Sequence, residues 1–203
     1  MSGAHPNRTI TNLCLLAATA VPIMYWGTQI VAAPYYTNYS FSNHSVSMLG
    51  TQLSRHPWIF NVGIMLTGFV ALAAAFGLYR VFREKTNLLI SALIGLAVAC
   101  VGILTMKAGM FPMPDPYHNS WGLLQKFTII TPHLMLIGLW RQRDSRDLRI
   151  YLVVSILFLL FLDPFSAGFG RGTLQRLITL GTLTPVGVIG FAFWRELHLR
   201  PQD

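Results

Sequence analysis

Residues 13–33 read LCLLAATAVPIMYWGTQIVAA, twenty-one positions with no acidic or basic side chain. About 20 apolar residues in a helix match the hydrocarbon thickness of a bilayer, so this stretch is predicted to cross a membrane. The interval free of Asp, Glu, Lys and Arg is longer still, from Arg8 to Arg55. A basic residue ahead of an apolar run that closes on Ala32 and Ala33 also fits a secretory leader. The run is too long for a usual leader core, and a retained helix is the expectation.

Working outward, further apolar stretches cover residues 58–79, 88–107, 121–140, 149–163 and 173–194, punctuated by Asp163-Pro164 and by Gly168, Gly170 and Gly172. The predicted fold is all-α: one polytopic transmembrane bundle of six helices occupying residues 1–203. Composition agrees, because 53% hydrophobic and 11% charged residues with a mean hydropathy of +0.52 are too apolar for a soluble domain. Six spans of about 20 residues consume nearly the whole length.

Ten of the fifteen Lys and Arg (Arg8, Arg80, Arg83, Lys85, Arg141, Arg143, Arg146, Arg149, Arg195 and Arg200) flank one side of these spans. The positive-inside rule therefore places both termini in the cytoplasm, and the expected location is the cytoplasmic membrane of a bacterium or archaeon. Trp58, Trp121, Trp140, Trp194, Tyr79 and Tyr151 stand at span ends, where amphipathic rings favour the interface. A net charge of +8 and a pI near 10.0 raise the question of nucleic acid. The basic run 141–149, interleaved with Asp144 and Asp147, reads instead as a topology signal that also attracts anionic lipid, so membrane lipids are the expected partners and nucleic acid is not.

Cys14 and Cys100 fall inside spans one and three without CxxC spacing and read as small buried hydrophobes. Ser91, Gly95 and Ala99, like Gly63, Thr67, Ala71 and Ala75, recur every four residues, which predicts close packing of helices two and three. Pro22, Pro132 and Pro185 lie inside spans one, four and six, where each removes a backbone hydrogen bond and permits a kink.

Lys126, His133, Asp163 and Arg176 lie within or at the ends of the last three apolar stretches, where an ionisable group is costly unless paired, hydrated or bound to a ligand. The predicted topology brings Lys107, Lys126, Asp163 and Arg176 to a similar outer depth and leaves His133 deeper. Outer loops add Arg55, His56, Asp115, His118, Asn119 and Arg171. Five cations there (Arg55, Lys107, Lys126, Arg171, Arg176) face two carboxylates, an excess of three. Phosphate or carboxylate would balance them, so the expected function is binding of an anionic lipid headgroup or amphiphile in an outer pocket. The competing structural account pairs Asp163 with Arg176 or Lys126 and lets Arg55 and Arg171 reach the headgroups. The loop 34–55 is long enough to lid such a pocket.

Chemistry is the alternative: a lipid hydrolase or transferase using His118 or His133 with Asp115 or Asp163, or a small transporter, although no internal duplication is visible. No HExxH, GxSxG, P-loop or dinucleotide fingerprint occurs, and Ser47 and Ser54 have no base visible in the sequence. His44, His56, His118, Asp115 and Asp163 lack metal-ligand spacing, so no metal or cofactor is expected. Nothing in the sequence indicates an oligomeric state.

Three groups of residues resemble one family. Ser47-Met48-Leu49-Gly50, then Pro57-Trp58-Ile59-Phe60-Asn61-Val62-Gly63, then Gly68 form the first. Phe111-Pro112 with Asp115 and His118-Asn119, and Gly172 with Gln175-Arg176-Leu177, form the others. Together they resemble the signatures of a prokaryotic six-span membrane family known as domain of unknown function 998. The resemblance runs from about Ser47 to Trp194 and implies a six-helix integral membrane protein without an established activity. The matching polar positions Asn61, Asp115, His118, Asn119 and Arg176 fall on the predicted outer side. Lys126, His133 and Asp163 have no counterpart in these signatures.

Overall fold

The computed structural model describes residues 6–120 and 122–199. Trp121, the expected start of the fourth span, Arg200 and the side chain of Asp163 lie outside the described residues. The described chain is helical: α1 (Pro6–Ala32), α2 (Pro57–Lys85), α3 (Leu88–Met110), α4 (Gly122–Ile129), α5 (Thr131–Leu139), α6 (Arg146–Phe165) and α7 (Arg171–Leu199). Short 3-10 turns occupy parts of the loops, including Val46–Gly50 and Pro116–Asn119. By length and composition, α1, α2, α3 and α7 can each cross a membrane.

The fourth apolar stretch departs from the expected single helix: it is two, α4 and α5, parted at Ile130. Pro132 sits in the first turn of α5 and brings no amide hydrogen to the ladder, so helical bonding restarts, with Leu134 N–H donating to the Ile130 carbonyl at 3.0 Å. Elsewhere the helices outrun the apolar windows, because a charge at a helix end does not stop it. Helix α2 carries Arg80, Arg83 and Lys85 on its last turns. It gives way where Asn87 caps α3, its side chain accepting from Ile90 N at 2.9 Å.

Consecutive helices are neighbours. Helix α1 packs against α2 and α7, α2 against α3, α3 against α4 and α5, and α5 and α7 both against α6, which closes a ring. The tightest seam is α2 with α3. A Cβ on Gly102 would lie 2.8 Å from the Gly68 carbonyl, and one on Gly68 would lie 2.6 Å from the Gly102 carbonyl. The close approaches on α3 recur at Gly95, Gly102 and Gly109, seven residues apart. Only Gly95 belongs to the four-residue series expected from the sequence; the period of seven suits an antiparallel pair crossing at a shallow angle.

Inside the ring, Leu15, Phe60, Ile64, Leu78, Phe82, Ile94, Met135, Leu139, Leu152, Ile189 and Phe193 are fully buried. Outside it, Leu13, Ile23, Leu66, Phe69, Leu89, Leu96 and Phe161 are exposed. Large apolar side chains on both faces are what a hydrocarbon solvent permits. The protein is an integral membrane protein by this apolar helical surface.

The start of α1 and the end of α7 share one end of the bundle. The Arg8 guanidinium donates to the Leu197 carbonyl, Lys85 Nζ pairs with Glu196 at 3.1 Å, and Gln142 Nε2 donates to the Lys85 carbonyl at 2.6 Å. Arg149 Nη1 reaches the carbonyls of Leu139, Trp140 and Gln142 at 3.4, 3.0 and 2.6 Å, which satisfies oxygens that the end of α5 leaves open. The candidate site occupies the opposite end.

Candidate functional site

Residue Arg176, one turn into α7, is 8% exposed and surrounded by oxygen acceptors. Its Nη1 donates to the carbonyls of Phe41 at 2.6 Å, His44 at 3.3 Å and Gly172 at 3.0 Å, and its Nη2 donates to the Tyr39 hydroxyl at 2.6 Å. The guanidinium carbon also lies 4.8 Å from the Phe41 ring centroid and 5.7 Å from that of Tyr39, within cation–π range. Gly172 makes this convergence possible, since a Cβ there would collide with the Phe41 and His44 carbonyl oxygens.

Two further bonds fasten the same loop to α7. Thr173 N–H donates to the Ser42 carbonyl at 3.0 Å, and the Gln175 side-chain oxygen accepts from Val46 N at 2.9 Å. The loop 34–55 is therefore a fixed cover over the bundle end. Burial pushes the Tyr39 phenol above its ordinary pKa, and the bond from Arg176 offsets part of that rise.

The second junction joins two loops. His118 Nδ1 is 2.7 Å from the Phe111 carbonyl, and its Nε2 is 2.9 Å from Ser47 Oγ. A carbonyl only accepts, so Nδ1 carries the proton; in the neutral ring Nε2 then accepts from the Ser47 hydroxyl. Asp115 supports this turn, its carboxylate accepting from Tyr117 N at 2.8 Å. Asn61 supports the other, its Nδ2 donating to the Gly50 carbonyl at 3.1 Å.

Between these junctions lies a cavity of about 300 Å³. Its polar lining includes Ser47, Lys107, His118, Asn119 and Gln175; its apolar lining includes Phe60, Ile64, Val101, Leu104 and Leu183. Lys107, on the last turn of α3, is 6% exposed, and its Nζ is 3.4 Å from Ser120 Oγ. Val101 lies six residues back along α3, roughly 9 Å at the helical rise, so the cavity reaches from the loops into the bundle.

Of the residues expected from the sequence, Lys107, His118 and Asn119 meet at this cavity. Arg176 is next to the cover but turned into its carbonyl cage, and Asp115 caps its own turn. Arg55, His56, Lys126 and Arg171 are exposed and off the lining. Arg55 N–H donates to the Tyr35 carbonyl at 2.8 Å, and the His56 ring meets Tyr35 edge-on at 5.1 Å. His133, half-buried on α5, is also off the lining, and its Nδ1 is buried without a hydrogen-bond partner. Among the described residues no three His, Cys, Asp or Glu side chains converge as a metal site.

Sequence reasoning missed Ser47 and Gln175 as site residues. Both stood in the quoted signatures, Ser47 at the head of the first and Gln175 beside Arg176. The signal was there in the fact that His118 belonged to another signature of the same set.

No curated protein and no solved structure matches the chain. The profile of the family described as "Protein of unknown function (DUF998)" matches residues 16–192, from α1 almost to the end of α7. The match takes in the first helix, which the sequence motifs had resembled only as a generic span, and it includes every residue lining the cavity. The chain belongs to the DUF998 family.

Proposed function

We propose that the protein binds an amphiphile with an anionic head in the cavity, its head near Lys107, Asn119 and Gln175 and its tail against Val101, Leu104 and Leu183. The observation that carries this reading is Lys107, a nearly fully buried cation on the wall of a cavity lined both by polar groups, Ser47, His118, Asn119 and Gln175 among them, and by apolar side chains such as Val101, Leu104 and Leu183. A buried ionisable group inside a membrane bundle marks a site by default. A volume near 300 Å³ is at the lower end of small-molecule sites, which fits a headgroup and its first carbons better than a whole lipid. Arg176 acts indirectly, by fixing the loop that covers the cavity.

The reading includes six crossings with both termini in the cytoplasm, so that the cavity faces outward. Helices α4 and α5 together span 18 residues from Gly122 to Leu139, roughly 27 Å at the helical rise. The 20-residue α6 turns Val154, Leu157, Leu160 and Phe161 outward. Most basic residues gather at the end where α1 begins and α7 closes. A membrane-impermeant maleimide should label Asn119→Cys in intact cells and Arg141→Cys only after permeabilisation; the reverse pattern inverts the topology.

Native mass spectrometry of protein extracted in mild detergent tests the binding. Wild type should retain an amphiphile bearing phosphate or carboxylate. Lys107→Gln should lower retention about tenfold, the effect of losing about 1.4 kcal/mol of affinity, and Thr179→Trp, a bulky replacement at a residue that also lines the cavity, should abolish it. Equal retention in all three proteins overturns the proposal.

A further inference from the structure

The Ser47–His118 contact has the polarity of a nucleophile and its base. We propose that these two residues cleave an ester of the amphiphile by acyl transfer through Ser47, an inference that rests on reading the cavity as an amphiphile site.

Three features combine. The hydroxyl and the imidazole are 2.9 Å apart, from segments 71 residues apart in the chain. The far nitrogen of the ring is held by the Phe111 carbonyl at 2.7 Å, which sets the tautomer that leaves Nε2 free to take a proton. Both side chains line the cavity that Lys107 also lines. A serine bonded to a histidine that a third group orients is the arrangement that activates a hydroxyl for acyl transfer. Here the orienting group is a backbone carbonyl.

The steps balance without an oxidant or reductant. Ser47 Oγ attacks the ester carbonyl carbon while its proton passes to His118 Nε2. The imidazolium is stabilised by the Nδ1–H bond to Phe111, and the positive charge of Lys107 favours the oxyanion. The carbon–oxygen bond to the alcohol then breaks, and the departing alkoxide takes the proton from Nε2. Water, deprotonated by His118, attacks the acyl group on Ser47 and releases a carboxylate, which restores the hydroxyl. A second alcohol in place of water would make the reaction a transfer.

The test uses the full-length protein in detergent with an alkyl fluorophosphonate, which esterifies activated serines, and with a medium-chain p-nitrophenyl ester as substrate. The expected result is one phosphonyl group per chain, mapped by peptide mass spectrometry to Ser47, and ester turnover that it blocks. His118→Ala and Ser47→Ala should each lower turnover about a hundredfold or more, with thermal midpoints measured in parallel. Mapping is done on wild type, so the result does not depend on a variant folding. Wild type that retains amphiphile but gains no adduct at Ser47 overturns the dyad and leaves the binding site standing. Wild type that neither retains amphiphile nor gains the adduct overturns both. Unchanged turnover in a folded Ser47→Ala also overturns the dyad.

Discussion

Arg176 and Tyr39, 137 residues apart in the chain, meet at 2.6 Å, the arginine Nη2 donating to a phenol oxygen that itself donates to the Ser45 carbonyl at 3.3 Å. The contact is the centre of a clasp that holds the first long loop on the start of α7. Replacing Arg176 by Ala leaves the carbonyls of Phe41 and His44 without this donor. Hydrogen bonds to a charged group contribute about 1.5–3 kcal/mol each in isolation, and a loss of about 3 kcal/mol in all is expected. Arg176→Lys should recover less than half, because an ammonium lacks the planar fork that reaches the cage from two nitrogens. Thermal unfolding in detergent measures both; a midpoint unchanged in Arg176→Ala would remove the clasp from the account.

Burial of the same phenol predicts a response to alkali. The Tyr39 phenol titrates above its ordinary value of 10.0 because burial disfavours the phenolate. Folding therefore favours the protonated form. That contribution is complete below about pH 10 and is lost as pH climbs through the raised folded value. Tyr39→Phe should cost about 1.5–3 kcal/mol at neutral pH through the lost Arg176 bond. It should also flatten the fall in stability above pH 10, as followed by unfolding midpoints across that range.

At the α2–α3 seam the expectation is steric. Gly102→Leu places a branched side chain where a Cβ alone would lie 2.8 Å from the Gly68 carbonyl. The two helices must separate, at a cost of about 1–3 kcal/mol or more. A cysteine pair across the seam, Tyr79→Cys with Gly95→Cys, whose Cβ atoms would lie about 3.0 Å apart, would report the separation through slower crosslinking in the Gly102→Leu background. Crosslinking at the original rate would mean that the seam accommodates the side chain.

The apolar stretches were legible because hydrocarbon length and charge-free intervals are properties of consecutive residues. Pro132 was legible too, but a proline inside a span permits either a bend or a break. Which one occurs depends on how the neighbouring helices meet the backbone, and here the ladder is interrupted at Ile130, which keeps helical backbone angles and opens α5. The cavity was half legible. Lys107, His118 and Asn119 stood out as polar groups on one predicted side, whereas Ser47 was one serine among several until the fold set it against a histidine. Arg176 illustrates the opposite failure. Its charge in an apolar setting suggested a ligand, and three of its four acceptors, two carbonyls and the Tyr39 hydroxyl, proved to lie on a loop more than 130 residues away, a partnership that no local pattern encodes.

Arg149 performs at the termini end what Arg176 performs at the other: each guanidinium gathers main-chain carbonyls, three from residues 139–142 in one case and three from residues 41, 44 and 172 in the other. The backbone thus serves as counter-ion. A surplus of basic over acidic side chains in a bundle of this size is then no measure of anionic cargo. Peptide dipoles, absent from any count of titratable residues, neutralise part of it where chain segments cross.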